Sequence, residues 1–464
     1  MIEQVQSSLR AIPPPVTLGL LLFFCAGFAD GMLIPFFPLW ASEEADIPVG
    51  AIGVLFGCYA GGELLAAPLI GGIADRLGRR PVLVASSLGV GLGFVALFFI
   101  HGVPAAVVVL LFTGICESVL HPTIMTVIAD ATSEADHRRW FSLVRVSSGA
   151  GQILGPAAGS ALVHVSFRAV FLAAGGALLL GGIIMLIALA ETREFEDHAT
   201  CGDQDDCNGS EEEEGLSALL PVLHDARLAK LLVWVVLFEI SGSWIESVIP
   251  LYAHDAGTLG SSGVGALFAY AAALMVGLQM LVSRFAEDWS ALRLTVGAGL
   301  ATIVAFMLLA ASPSIIALVL AVSLCSLAQM LIGPLVPTAV NVIAPSERRA
   351  SYMAASSVAM DLKDSLGPAA GTALYALAPR LPWIAGLPLV TLASLGLGVA
   401  VDRINRARSP SPSDPNTRIE AALSEWLSSR WRAMSWWRPS KAAINADRAG
   451  RGVAQRGGCG LAKT

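Results

Sequence analysis

Twelve apolar stretches of about 20 residues each constrain this 464-residue chain more than anything else in it. A helix rises 1.5 Å per residue, so about 20 apolar residues cross the hydrocarbon core of a bilayer. The stretches run over 16–40, 50–74, 81–100, 103–129, 141–163, 168–190, 228–251, 263–285, 291–311, 313–343, 350–377 and 382–402. Charged residues make up only 14% of the chain, too few to cover a soluble particle of this length. With 29 basic and 36 acidic residues the net charge is −7, which leaves no phosphate-neutralising surface. A soluble enzyme, a disordered chain and a nucleic-acid binder are excluded. The expected fold is an all-α polytopic membrane protein with twelve transmembrane helices. Its seven cysteines form no secreted disulfide framework. The first apolar run is too long for a cleavable signal peptide.

Basic residues set the orientation. With the N-terminus inside, the segments on that side before the tail hold 14 Lys and Arg, including Arg76, Arg79, Arg80, Arg138, Arg139 and Arg145; the tail adds 12. The opposite loops hold only Arg168 and Arg380, and Lys363 lies within a helix. Both ends are therefore expected in the cytoplasm. The chain also repeats itself. Gly155-Pro156-Ala157-Ala158-Gly159 recurs at Gly367-Pro368-Ala369-Ala370-Gly371, and Pro38-Leu39 is echoed by Pro250-Leu251, each at an offset of 212. Repeats of this kind mark secondary transporters with a site between their halves. The expected domains are a six-helix bundle at 1–190, an acidic cytoplasmic linker at 191–227, a second six-helix bundle at 228–402 and a basic cytoplasmic tail at 403–464.

The second helix is followed by a loop holding Gly71, Asp75, Arg76, Gly78, Arg79 and Arg80. Its glycines allow a tight turn, and its arginines cannot enter lipid cheaply. Asp75 can pair with an Arg or face a helix N-terminus across the contact between halves. The fifth helix carries Gly151, Gly155, Pro156 and Gly159, whose spacing permits close helix approach around a bend. The loop resembles the signature of the major facilitator superfamily, and the helix resembles that family's antiporter motif, with Ser160 where the last Gly would stand. Ala29-Asp30-Gly31 looks like the acidic first helix of tetracycline exporters. Those proteins often carry an Arg early in the fourth helix, where this chain has Leu110, so their Arg-dependent proton chemistry does not carry over. The resemblance covers about 16–402 and implies the major facilitator fold and its drug:proton antiporter branch.

Ionisable residues near the bilayer centre are costly and usually functional. By helix rise, Asp30, Glu63, Glu117, Glu239, Asp361 and Asp364 fall near the middle, Glu246 lies nearer the outside, and Lys363 is the one basic residue at that depth. Asp361 and Asp364 share a helix face, where two carboxylates do not easily ionise together. His121 follows Glu117 by four residues; a relay role and plain packing both fit it. A negatively biased cavity suits a cation, a proton relay, or both. The cavity helices also carry Tyr59, Gln152, Trp234, Trp244, Tyr270, Gln279, Gln329 and Tyr375, on whose rings an organic cation could stack.

The stretch 191–214 holds eleven acids and reads as a solvated tether. His198, Cys201 and Cys207 match no metal-site spacing, and neither metal nor cofactor is expected. In the tail, Thr417 and Glu420 have capping-box spacing ahead of an amphipathic helix suited to the inner membrane surface. The expected function is proton-coupled antiport, exporting a small cationic or drug-like amphiphilic substrate from the cell across the inner membrane, by a monomer with no enzymatic activity. The alternatives are a proton-coupled nutrient symporter and a non-transporting sensor or scaffold, against which the mid-membrane acids argue.

Overall fold

The computed structural model describes residues 13–66, 78–188, 222, 224–345 and 348–408. They form twelve helices: α1 (Pro14–Glu43), α2 (Val49–Ala66), α3 (Arg79–Leu97), α4 (Val103–Asp130), α5 (Glu134–Leu162), α6 (Phe167–Ala188), α7 (Ala226–Ser247 and Ile249–Asp255), α8 (Ser261–Phe285), α9 (Ala291–Ala311), α10 (Ile315–Ile332 and Leu335–Ile343), α11 (Arg349–Leu377) and α12 (Leu381–Arg408). The helices belong to one compact unit, Met1–Asn405. Beyond it, only the last turn of α12 is described. The acidic stretch 191–214 and the tail helix expected from Thr417 onward lie outside the described residues.

Local chemistry sets several helix ends. Asp225, Ser290 and Ser314 accept from the backbone N–H groups of Arg227, Arg293 and Ala317. Each such cap contributes about 1 kcal/mol. Two helices expected to be continuous are broken. In α7 the break is at Val248, next to Pro250, which supplies no N–H to the carbonyl of Glu246. In α10 it is at Gly333-Pro334, which strands the carbonyl of Met330. The side-chain amide of Gln279 on α8 donates to that carbonyl at 3.3 Å.

Among the described residues, ten helices are long and apolar enough to cross a membrane by themselves; α5 and α11 are not. These two carry the repeated Gly-Pro-Ala-Ala-Gly segment, and each packs along the first helix of its own half. A side chain at Gly155 would strike the carbonyl of Phe28 and the backbone of Gly31; one at Gly367 would strike the carbonyl of Ile240 and the side chain of Ser243. Those partners are themselves offset by 212. The sequence repeat is thus a repeat of packing, with two pseudo-symmetric six-helix bundles as its result. Pairs α3–α6 and α9–α12 pack through Gly91 on Gly175 and Gly299 on Ser394.

At one end, aromatic clusters fill each bundle. Trp40 packs edge-on against Phe171 in the first, and Tyr252, Phe306 and Trp383 pack together in the second. Trp40 and Trp383 are fully buried.

Candidate functional site

The bundles meet at the end that carries the 44–48 and 256–260 loops. There α2 lies on α11. Gly50 faces Ala376, Gly53 faces Pro368 and Thr372, and Gly57 faces Ser365, but Gly61 faces nothing. The Thr372 hydroxyl accepts from the Gly53 N–H at 3.1 Å. Likewise Ser160 on α5 donates to the Ser262 carbonyl on α8 at 2.6 Å, while Gly277, further along α8, faces open space. Glu43 and His254 make an ion pair across the bundles at 3.2 Å, flanked by Glu44 with Arg168 at 3.4 Å. The helices therefore converge at this end and part beyond mid-helix.

A cavity of about 810 Å³ occupies the space where they part. From the first bundle α1, α4 and α5 line it, and from the second mainly α7, α8 and α10. Most of the wall is apolar, including Phe23, Ile34, Met125, Phe238, Phe268 and Met275. Polar side chains interrupt it, chief among them Gln152, Gln279, Gln329, Glu246, Arg145 and His121. Arg145 reads in the sequence as a residue of the basic side, yet it lies on the cavity face. Its spacing carried that signal, because Arg145, Ser148, Gly149, Gln152 and Pro156 follow one helical stripe, and all five line the cavity.

The mid-membrane acids gather in two clusters behind this wall. In the first bundle Glu117 is buried, with the Tyr59 hydroxyl beside its carboxylate. Asp30 from α1, with Tyr59 and Glu63 from α2, surrounds it within electrostatic reach. His121, one turn along α4, holds Nε2 at 3.7 Å from Glu117 Oε1 and stacks on Phe23 at 5.3 Å between ring centroids. None of Asp30, Glu63 and Glu117 lines the cavity; His121 does.

In the second bundle Lys363 is the hub. Its Nζ lies 2.5 Å from Asp364 Oδ1 and also faces Glu239 and Glu246. Glu239 accepts from the Gln329 amide at 2.9 Å. Of this group only Glu246 and Gln329 reach the cavity. Asp361 lies within electrostatic reach of Asp364 and Lys363 and also of Glu63, so the two clusters meet along the α2–α11 contact. Of the expected aromatic lining residues, Tyr270 bonds to Ser323 and Tyr375 donates to Asp255, while the Trp244 ring nitrogen donates to the Gly367 carbonyl. None of these three lines the cavity.

In the loop motif, Gly78 has a φ of 89°, which favours glycine at the entry to α3. Arg79 pairs with Asp130, and Arg80 donates to the Leu186 carbonyl at the end of α6 at 2.6 Å. Gly71, Asp75 and Arg76 lie outside the described residues. Gly151, Gly155, Pro156 and Gly159 all sit on the α1–α5 contact or beside it.

The fold matches solved transporters. A bacterial homologue of the human lysosomal transporter Spinster, in an inward-facing and unoccupied conformation, superposes with a TM-score of 0.70 at 15% identity, covering 87% of this chain and 100% of that one. The human organic anion transporter MFSD10 gives 0.56 at 20% identity, covering 83% of this chain and 100% of that one. In sequence, the class G tetracycline resistance protein of Vibrio anguillarum is 32% identical over 38% of this chain and 44% of its own length. Multidrug resistance protein 1 of Bacillus subtilis is 28% identical over 38% of this chain and 46% of its own. The chain thus spans less than half the length of these curated relatives. The family profile reaches much further. Residues 19–368 match the Major Facilitator Superfamily, and with twelve helices in two bundles around a central cavity, this multi-pass membrane protein belongs to that superfamily.

Proposed function

We propose that this chain is a proton-driven antiporter that exports small organic cations or drug-like amphiphiles across a bacterial inner membrane. The observation that carries the reading is the cavity: an apolar wall of about 810 Å³ broken by one carboxylate, Glu246, with further acids packed behind it. An apolar wall suits the body of an amphiphile, and Glu246 suits its positive end. Relatives named for tetracycline and multidrug resistance support the same reading. In this proposal the chain works as a monomer, both termini are cytoplasmic, and the cavity faces the cytoplasm. The bundles at 1–190 and 228–402 are the moving parts, with the linker at 191–227 and the tail at 403–464 as appendages. Asp30, Glu63, Glu117, Glu239, Asp361, Lys363 and Asp364 couple proton movement to cargo. A cation bound at Glu246 competes with Lys363, which then turns to its other acidic partners. Gly71, Asp75, Arg76, Gly78, Arg79 and Arg80 gate the cytoplasmic end. No catalytic step and no cofactor enter the cycle.

The test is ethidium efflux from an efflux-deficient host. Cells carrying the protein should extrude ethidium against its gradient and stop when the proton gradient is collapsed. Extrusion that survives the collapse, or accumulation in place of extrusion, would refute the antiport reading.

A further inference from the structure

The first bundle poses a problem of access. Glu117 is only 4% exposed and lies against Tyr59, and neither it nor Asp30 touches the cavity. A proton on this pair has to cross the cavity wall to reach water. His121 stands at that crossing: its ring is 43% exposed, it lines the cavity, and Nε2 is 3.7 Å from Glu117 Oε1. The plane of the ring is held by the stack on Phe23.

We propose that His121 is the proton relay between the Asp30–Glu117 pair and the cavity. The step is balanced. The Glu117 carboxyl gives its proton to the imidazole, leaving a carboxylate and an imidazolium. The imidazolium then releases a proton to cavity water and returns neutral. Loading runs the same steps in reverse. The approach of 3.7 Å closes to hydrogen-bond distance by one side-chain adjustment, as buried acid–base pairs commonly do during turnover. Surrounding charge favours a brief imidazolium. Asp30 and Glu117 face the ring from α1 and α4, Tyr59 and Glu63 lie behind them on α2, and Arg145 from α5 lines the same cavity. The inference concerns the route of the proton and stands on the same coupling role proposed for Asp30 and Glu117.

The test needs no cargo. In purified protein, infrared difference spectroscopy after a pH jump follows the carboxyl band of Glu117, assigned by its loss in Glu117→Gln. His121→Ala should slow that band's response by at least about tenfold, within what a positioned acid–base group supplies. Added imidazole should restore the rate. Pyrazole, which has the same shape but is not basic, should not. An unchanged rate in His121→Ala overturns the relay, and so does equal rescue by pyrazole or no rescue by imidazole. If ethidium efflux fails in the wild-type protein while the infrared rates behave as expected, the antiport reading falls and the relay stands.

Discussion

In the proposed cycle, Asp30 and Glu246 divide the work of charge between them. Asp30 sits beside cavity-lining Gly31 but points toward Glu117, while Glu246 opens into the cavity. Their substitutions should therefore fail in different ways. Asp30→Asn keeps size and cannot ionise, so uphill ethidium efflux should fall to the host's background with the protein still in the membrane. Asp30→Glu should retain part of the activity. Wild-type efflux by the Asn variant would make Asp30 structural. Glu246→Gln should weaken binding of a monovalent cation about tenfold, the value of roughly 1.4 kcal/mol for a charge-assisted contact. An uncharged amphiphile of similar size should bind as before. Equal losses for both probes would remove Glu246 from cation recognition. The separation of these roles was only half legible in the sequence. Helix rise gives the depth of an acid, and it set Asp30, Glu63, Glu117, Glu239, Asp361 and Asp364 at one depth without dividing them into two clusters. Which way each faces depends on a rotation of 100° per residue about an axis that the sequence does not orient. That is why Arg145 reads as a loop charge and Glu246 as a residue of the outer mouth.

At the scale of helices, the crossing of α2 and α11 joins the two bundles at the closed end. Gly50, Gly53 and Gly57 let the two backbones touch, and the Gly53 N–H is tied to Thr372. A Cβ built at Gly50 lies 3.7 Å from Cβ of Ala376, within the usual 3.5–4.5 Å span of a disulfide. With the native cysteines replaced by Ser, Gly50→Cys/Ala376→Cys should cross-link on oxidation, arrest efflux and recover on reduction. Oxidised protein that still transports would mean that this crossing stays closed throughout the cycle. The repeat at an offset of 212 made the pairing of α5 with α1 and of α11 with α7 inferable, because the same small residues recur in both. The breaks in α7 and α10 were harder to foresee. Proline in a membrane helix often causes only a bend, and here the outcome depends on Gln279 reaching a carbonyl from another helix.

Across the whole molecule, the closed end carries an ion pair whose strength depends on a histidine. Glu43 and His254 join the bundles at 3.2 Å, with Glu44 held by Arg168 and Asp255 held by Tyr375 nearby. Both partners are about a third exposed, so the pair is worth at most about 1 kcal/mol, or about fivefold in the ratio of closed to open. Spin labels on the 44–48 and 256–260 loops should report a closed fraction that falls in Glu43→Gln. An unaltered closed fraction in that variant would remove the pair from the gate.

The modest apolarity of α5 and α11 has a consequence for how the chain is made. A helix that partitions poorly into lipid cannot settle there by itself as it leaves the ribosome. It has to be received by a neighbour already in place. For α5 that neighbour is α1, made long before it, and for α11 it is α7, made equally far ahead. Each half therefore carries its own chaperone for its most polar span, and the first can complete its assembly before synthesis of the second has begun.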